Sequence, residues 1–358
     1  MEKIKVIELF AGVGSQAMAL RNLGIDYEVI GISEIAKFAI KSYEAIHGKV
    51  HNFGDITKIK ELPYCDLLTY SFPCQDLSIL GKQKGISKGT RSGLLLEVER
   101  LLLKAKENKT LPKYLLLENV KNLVGKKFIK DFEKWLNFLN SLGYYSNWDV
   151  LNAKDYGIPQ NRERVFVVSS LDNIYYKFPK PLELKSKMKD LLEEKVEEKY
   201  YLSEKAIRCL SDNKNRNGFI RSEKFNPRKL EECKTAFSIT TRAGERATDN
   251  FIIQKGRGFN KGGIKKIIPA ITSSSWQENN LLNDTRIRKL TPLECWRLMG
   301  FRDLDYYAAK SSGISDTQLY KQTWNSIVVT VLEAIFRNLF FKKHNKKQSI
   351  IAEQIKMF

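Results

Sequence analysis

The chain has 358 residues, enough for about two domains and a sizeable core. Hydrophobic residues make up 42% and charged residues 28%, with 21 Gly and 9 Pro, which excludes a disordered or collagen-like chain. Lys and Arg number 61 against 41 Asp and Glu, and the resulting charge of +20 points to a polyanionic partner, nucleic acid ahead of an anionic membrane surface.

The opening MEKIKVIELF reads as a strand rather than a signal peptide. No uninterrupted apolar run approaches the roughly 18 residues of a membrane span, so the expected compartment is the cytoplasm. Five cysteines with no CxxC pair argue against a disulfide framework or a zinc knuckle.

In chain order, strands are expected at Lys5–Phe10, Tyr27–Ile32, Asp66–Tyr70, Tyr114–Leu117, Trp148–Leu151 and Arg164–Ser169. Helices are expected at Gln16–Leu23, Ile35–His47, Glu97–Ala105 and Phe128–Leu142. This alternation indicates βαβ units on a parallel sheet. After about Asp172 the pattern changes. Residues 179–199 are rich in Lys and Glu, and Lys205–Leu230 holds eight Lys or Arg against two Asp or Glu. Short strands at Ala236–Thr241 and Ile267–Thr272 lie among polar loops, as in a separate basic domain. Helices return at Thr291–Met299, where Thr291 and Glu294 form a capping box, and at Ser326–Phe341. The tail, residues 342–358, is basic.

The first strand leads into FAGVGS and then a helix. Gly12 and Gly14 permit a tight turn and close approach of a ligand to backbone amides. The glycines alone fit an empty turn or a dinucleotide equally well, since Ala17 is tolerated at the third fingerprint position. Glu34 ends the second strand, where a carboxylate can accept from both ribose hydroxyls. Asp55 can accept from an adenine amino group, and Phe10 can stack on the ring. No Lys or Arg accompanies the turn, so a neutral adenosine with a methionine tail fits at least as well as a pyrophosphate.

After the third strand comes SFPCQDLS. Pro73 stiffens the approach to Cys74, and the polar flank of Gln75, Asp76 and Ser78 favours a nucleophilic thiol over a buried one. The fourth strand ends in Glu118-Asn119-Val120, where a carboxyl group can face that thiol. A Cys and a Glu without a paired His suit addition to an electron-poor ring. Arg162 and Arg164 alternate in QNRERVF and can share one strand face.

FAGVGS, Glu34, SFPCQ, ENV, QNRER and the late NSIVV stand in the order and spacing of the DNA (cytosine-5) methyltransferases, and the chain resembles that family outside residues of about 173–285. The resemblance implies an α/β fold. It would be a doubly wound, Rossmann-like S-adenosylmethionine-dependent methyltransferase domain with a smaller, irregular, mostly-β target-recognition domain. It places the catalytic and cofactor domain at 1–172, target recognition at 173–285, a connecting segment at 286–321 and a returning C-terminal helix at 322–358. It implies S-adenosylmethionine as donor, with Phe10, Gly12, Gly14, Glu34, Asp55, Ile56, Pro73, Leu95, Asn325 and Ser326 around it. Duplex DNA is the implied partner, its cytosine flipped out of the stack. Cys74 then attacks C6, Glu118 protonates N3, Arg164 holds O2 and Arg162 supports the loop, with no metal required.

The loop GKQKGISKGTRSG resembles the family's mobile loop, with Lys82 and Lys84 for phosphate contact beside Gln75 and Ser78. Arg242, Arg246, Gln277 and Asn279 suit groove readout, and Thr272 matches the Thr of a target-recognition motif. A monomer is expected, with or without a restriction endonuclease acting on the same site. Three positions depart from the family pattern. Trp324 replaces the Gly of Gly-Asn-Ser, which would crowd the donor, re-aim it or favour a different sulfonium ligand. Leu80 stands where small residues are usual, and Ala36 where a polar one is. The competing readings are cytosine-5 methylation of tRNA, a DNA-binding homologue impaired by Trp324, and a Rossmann oxidoreductase. The last leaves Pro-Cys-Gln, Glu118 and the arginine strand unexplained.

Overall fold

A computed structural model describes residues 3–73, 92–172, 175–203, 206–207, 227–229, 234–239, 250–255 and 285–341. The first six-residue strand, β1 (Ile4–Leu9), alternates its buried side chains between two cores. Val6 faces one core and Ile7 and Leu9 the other. The same two-sided pattern recurs in β3 (Leu67–Tyr70), β4 (Tyr114–Val120) and β7 (Glu163–Ser170). A strand apolar on both faces must be covered on both, and helices do this. α1 (Ser15–Asn22) and α8 (Val329–Phe341) pack on the Val6 face. α3 (Leu95–Glu107) and α4 (Ile129–Ser141) pack on the other. Two more strands, β2 (Tyr27–Ser33) and β5 (Tyr145–Asn152), complete a sheet of order β2-β1-β3-β4-β7-β5.

The expected parallel sheet holds for β2, β1, β3 and β4. It fails at β7, which runs antiparallel to both β4 and β5. β5 reaches β7 through a short connection, too short for the crossover that a parallel pair requires. Other boundaries extend by a few residues; β4, for example, runs on through Glu118 to Val120.

The second helix, α2 (Lys37–His47), follows β2. Between β5 and β7 lies the short β6 (Gln160–Asn161), which pairs with β9 (Ala236–Phe237). A small sheet joins β8 (Arg228–Lys229), β10 (Phe251–Lys255) and β11 (Thr285–Lys289) in the order β11-β10-β8. Only Ala236–Phe237 of the expected strand 236–241 is present among the described residues, and the expected strand 267–272 lies outside them. Met188, Tyr200, Ile239 and Ile252 join the same buried cluster as Trp296 and Phe336.

The capping box forms as expected at α5 (Pro292–Arg297): Thr291 Oγ1 accepts from the Glu294 amide, and Glu294 Oε2 accepts from the Thr291 amide. Glu294 also binds both Nη atoms of Arg288 at 2.8 Å in a pair shut off from solvent. Two further helices, α6 (Asp303–Ser311) and α7 (Asp316–Trp324), precede α8 and were not legible as amphipathic runs. The stretch Asp316–Phe341 is long and apolar enough by composition to cross a membrane, and 56% of its most apolar window is buried within the fold.

Candidate active site

The carboxyl ends of β1, β2, β3 and β4 and the start of β7 open on one cavity of about 540 Å³. Its lower wall is the glycine turn. Phe10 takes a left-handed φ of 58°, and Gly12 and Gly14 follow at 58° and 80°. Such angles strain any residue with a Cβ, so a non-glycine at position 10 marks a backbone held in place by its surroundings. A Cβ on Gly14 would fall 2.4 Å from the His47 ring, so this glycine is required for packing. Gly14 caps α1 and stays off the cavity wall, whereas Phe10, Gly12 and Val13 lie on it.

Beneath the turn sits Glu8, fully buried on the Val6 face. Its Oε1 accepts from the Ala17 amide at 2.8 Å. Burial, partly offset by Tyr43 and the Ala17 amide, raises its carboxyl from the ordinary 4.5 to about 7. His47 Nε2 donates to Val13 O at 3.1 Å, and burial lowers its ring to about 4. A raised carboxyl stabilises the fold fully below its unfolded value and loses that contribution as pH rises through its folded value. Glu8→Gln should therefore gain on the wild type between pH 4.5 and 7, by up to about 3 kcal/mol. Urea denaturation across that range checks this; a pH-independent difference between the two proteins would contradict it.

Glu34, at the end of β2, turns its carboxylate back on the chain. Oε1 accepts from the amides of Ile35 and Ala36, and Oε2 from that of Gly12 at 2.9 Å. The side chain thus bolts the glycine turn to α2 while remaining on the cavity wall. Asp55 Oδ1 accepts from both the amide and the hydroxyl of Thr57, which holds its carboxyl below the usual range. Asp55 and Ile56 both line the cavity.

β3 runs into Ser71-Phe72-Pro73, all on the wall. Asn119 Nδ2 donates to Phe72 O at 3.0 Å, tying this strand end to β4. Glu118, 8% exposed, faces Arg164, whose Nε lies 3.2 Å from Oε1. Burial raises the Glu118 carboxyl; Arg164, Arg162 and a hydrogen bond from Ser71 pull it back. The neutral acid is therefore more accessible than in water, and a cationic neighbour stands ready for the charged form.

Arg162 is 3% exposed. Its Nη2 donates to the carbonyls of Trp324 and Ser326 at 2.9 and 3.0 Å. It thereby fixes the segment between α7 and α8 against β7. The Trp324 indole lies 6.0 Å from the Arg162 guanidinium, and Trp324, Asn325 and Ser326 line the cavity together.

Of the thirteen described positions expected at the site, eleven share this cavity; Gly14 and Leu95 do not. Leu95 is a correction. It is 2% exposed and packs into the α3 core, and its neighbour Leu94 occupies the wall. Helical register turns adjacent residues about 100° apart, which decides between the two. Cys74, Gln75, Ser78, Leu80, Lys82, Lys84, Arg242, Arg246, Thr272, Gln277 and Asn279 lie outside the described residues. Sequence reasoning missed the α7 face. Gln318, Lys321 and Gln322 recur at helical spacing and all line the cavity. Gln322 Nε2 donates to Phe38 O and Ser42 Oγ, joining α7 to α2.

Sheet, glycine turn and a buried acid flanked by two arginines together define an α/β enzyme of the methyltransferase type. The family model for C-5 cytosine-specific DNA methylase matches residues 4–341, and the chain belongs to that family. It is 37% identical, over 94% of its length and 99% of the relative's, to the type II methyltransferase M2.ScrFI of Lactococcus lactis subsp. cremoris. It is 31% identical, over 97% of its length and the whole of the relative, to the orphan methyltransferase M.SPBetaI of Bacillus phage SPbeta. The fold is shared with the S. pombe Dnmt2 methyltransferase, at a TM-score of 0.70 and 20% identity over 95% of this chain and 99% of that one. The protein is a DNA (cytosine-5) methyltransferase.

Proposed function

We propose that the cavity holds S-adenosylmethionine and that Cys74, Glu118, Arg162 and Arg164 act on a cytosine extruded from duplex DNA. The carrying observation is that Glu118 and both arginines share one cavity with Phe10 and Glu34, beside Pro73, the residue before Cys74. The walls suit the donor. Phe10 and Ile56 offer apolar surface to an adenine, and Asp55 offers an acceptor. Glu34 Oε2 accepts from one amide and so has a lone pair left for a ribose hydroxyl. Asn325 and Ser326 flank the methionine end. Bound there, S-adenosylmethionine supplies a methyl group on a cationic sulfur.

The residues of this chain do the rest. The Cys74 thiolate adds to C6, and the ring electrons shift toward C5. Glu118, whose carboxyl burial makes easier to protonate, gives its proton to N3 and cancels the negative charge that addition would leave on the ring. Arg164 donates to O2 and, once Glu118 has ionised, pairs with its carboxylate. Arg162 keeps the Trp324–Ser326 wall in place. After methylation a base such as water takes the C5 proton as the C6–S bond breaks and frees the Cys74 thiolate, and N3 returns its proton to the Glu118 carboxylate.

Lys82 and Lys84 would contact phosphates, with Gln75 and Ser78 near the extruded base. Arg242, Arg246, Thr272 and Gln277 would read the duplex, within a recognition domain at 173–285 between the catalytic domain at 1–172 and the returning segments 286–321 and 322–358. The enzyme acts as a monomer in the bacterial cytoplasm, alone or beside an endonuclease of the same specificity.

A duplex containing 5-fluorocytosine tests the covalent step, since fluorine blocks loss of the C5 substituent and traps the adduct. With S-adenosylmethionine present, the wild type should give a protein–DNA band that survives denaturing electrophoresis, and Cys74→Ser should give none. An adduct of equal yield in Cys74→Ser would refute the assignment.

A further inference from the structure

Outside the cavity, Phe237 is among the aromatic side chains that the described residues leave about half exposed. Ala236 on β9 and Ile239 just beyond it turn inward, at 1% and 2% exposure, while Phe237 points out at 50%. The ring is nevertheless firmly held. Asn250, itself 7% exposed, accepts from the Phe237 amide at 2.9 Å and donates to its carbonyl at 3.1 Å. The Arg228 guanidinium lies over the ring at 4.6 Å. Arg228 is fixed in turn by Thr235 O, Asn250 Oδ1 and Met188 Sδ.

The location is equally specific. Phe237 pairs in register with Asn161, one residue before Arg162. Ser238 Oγ lies 3.5 Å from Arg162 Nη1, and Arg162 lines the cavity. A pre-ordered aromatic ring thus stands within a residue of the group that borders the reacting base, on a chain of charge +20. We propose that Phe237 is a stacking residue for the DNA substrate, its open face packing on a base next to the extruded cytosine. Extruding one base exposes the faces of its neighbours, and an immobilised ring can cover one of them with little further loss of entropy. The neighbouring guanidinium adds positive charge beside the backbone phosphates without depending on sequence. The proposal rests on the reading of this site as one that flips a cytosine.

The test compares wild type with Phe237→Leu, which keeps apolar bulk, and Phe237→Tyr, which keeps the ring. Sequencing of DNA methylated by the wild type first defines the site. Duplexes with 5-iodopyrimidines beside the target are then irradiated, and crosslinks are mapped by mass spectrometry. Loss of aromatic stacking should raise the KM for DNA about tenfold in Phe237→Leu, with the Kd for S-adenosylmethionine unchanged. Phe237→Tyr should stay within about twofold of wild type, and the crosslink should map to position 237 in both ring-bearing proteins. A wild-type KM in Phe237→Leu overturns the proposal, and so does a raised KM with crosslinks that map elsewhere. A wild type that forms no 5-methylcytosine would instead overturn the underlying reading, and the proposal with it.

Discussion

Replacing Glu118 with glutamine is expected to lower kcat for methyl transfer by about 10²- to 10⁴-fold, the range that one positioned proton donor contributes. Glutamine keeps the shape and can still accept from Arg164 and donate to N3, so binding should survive. What it lacks is a transferable proton. The loss should therefore fall on kcat, with KM for DNA and Kd for the donor changed by less than about fivefold. The pH profile sharpens the distinction. Burial is the main cause of the raised Glu118 carboxyl, so the neutral acid persists to higher pH than for an exposed glutamate. Wild-type kcat should decline as pH rises through that shifted value, and the residual activity of Glu118→Gln should lack this decline. Steady-state rates on duplex DNA across pH check both points. A Glu118→Gln enzyme within about tenfold of wild type would remove the proton from the account.

Arg162→Met should produce the largest loss of stability at the site. The wild-type guanidinium is buried and donates to two carbonyls that bracket Asn325. Methionine fills similar space but leaves both carbonyls without that donor. Hydrogen bonds to a charged group contribute about 1.5–3 kcal/mol each, so a loss of about 3 kcal/mol or more is expected. Because the same segment forms a cavity wall, donor affinity should fall too. Arg162→Lys should recover only part of the loss, since an ammonium is a single point of charge and not a planar fork. Urea denaturation and calorimetric titration with the donor measure the two effects. A stability change under about 1 kcal/mol, with unchanged donor affinity, would show that this arginine does not hold the wall.

Local chemistry explains most of what was legible. The glycine turn needs left-handed backbone at Gly12 and Gly14, and glycine announces that in sequence. The Thr291–Glu294 capping box is a four-residue pattern whose two hydrogen bonds form as read. Strand direction was not legible at β7, because alternation of apolar residues is the same in parallel and antiparallel strands. Leu94 and Leu95 are chemically identical neighbours, and only the rotation of α3 separates the wall residue from the core residue. α7 carries polar residues on its cavity face, which suppressed the apolar period that marks a helix. Its contact from Gln322 to Phe38 spans most of the chain. Trp324 departs from the family's Gly, and the structure puts its indole on the cavity wall and its carbonyl against Arg162, a contact that no local pattern announces.

The central claim is methyl transfer to C5 of cytosine by this chain. Wild type is incubated with duplex DNA of mixed sequence and S-adenosylmethionine labelled in its methyl group, and the DNA is digested to nucleosides. The account predicts label in 5-methylcytidine deoxynucleoside alone, abolished by Cys74→Ala while that variant still binds duplex. Label in any other nucleoside, label that persists in Cys74→Ala, or no transfer by a folded, DNA-bound wild type would contradict it.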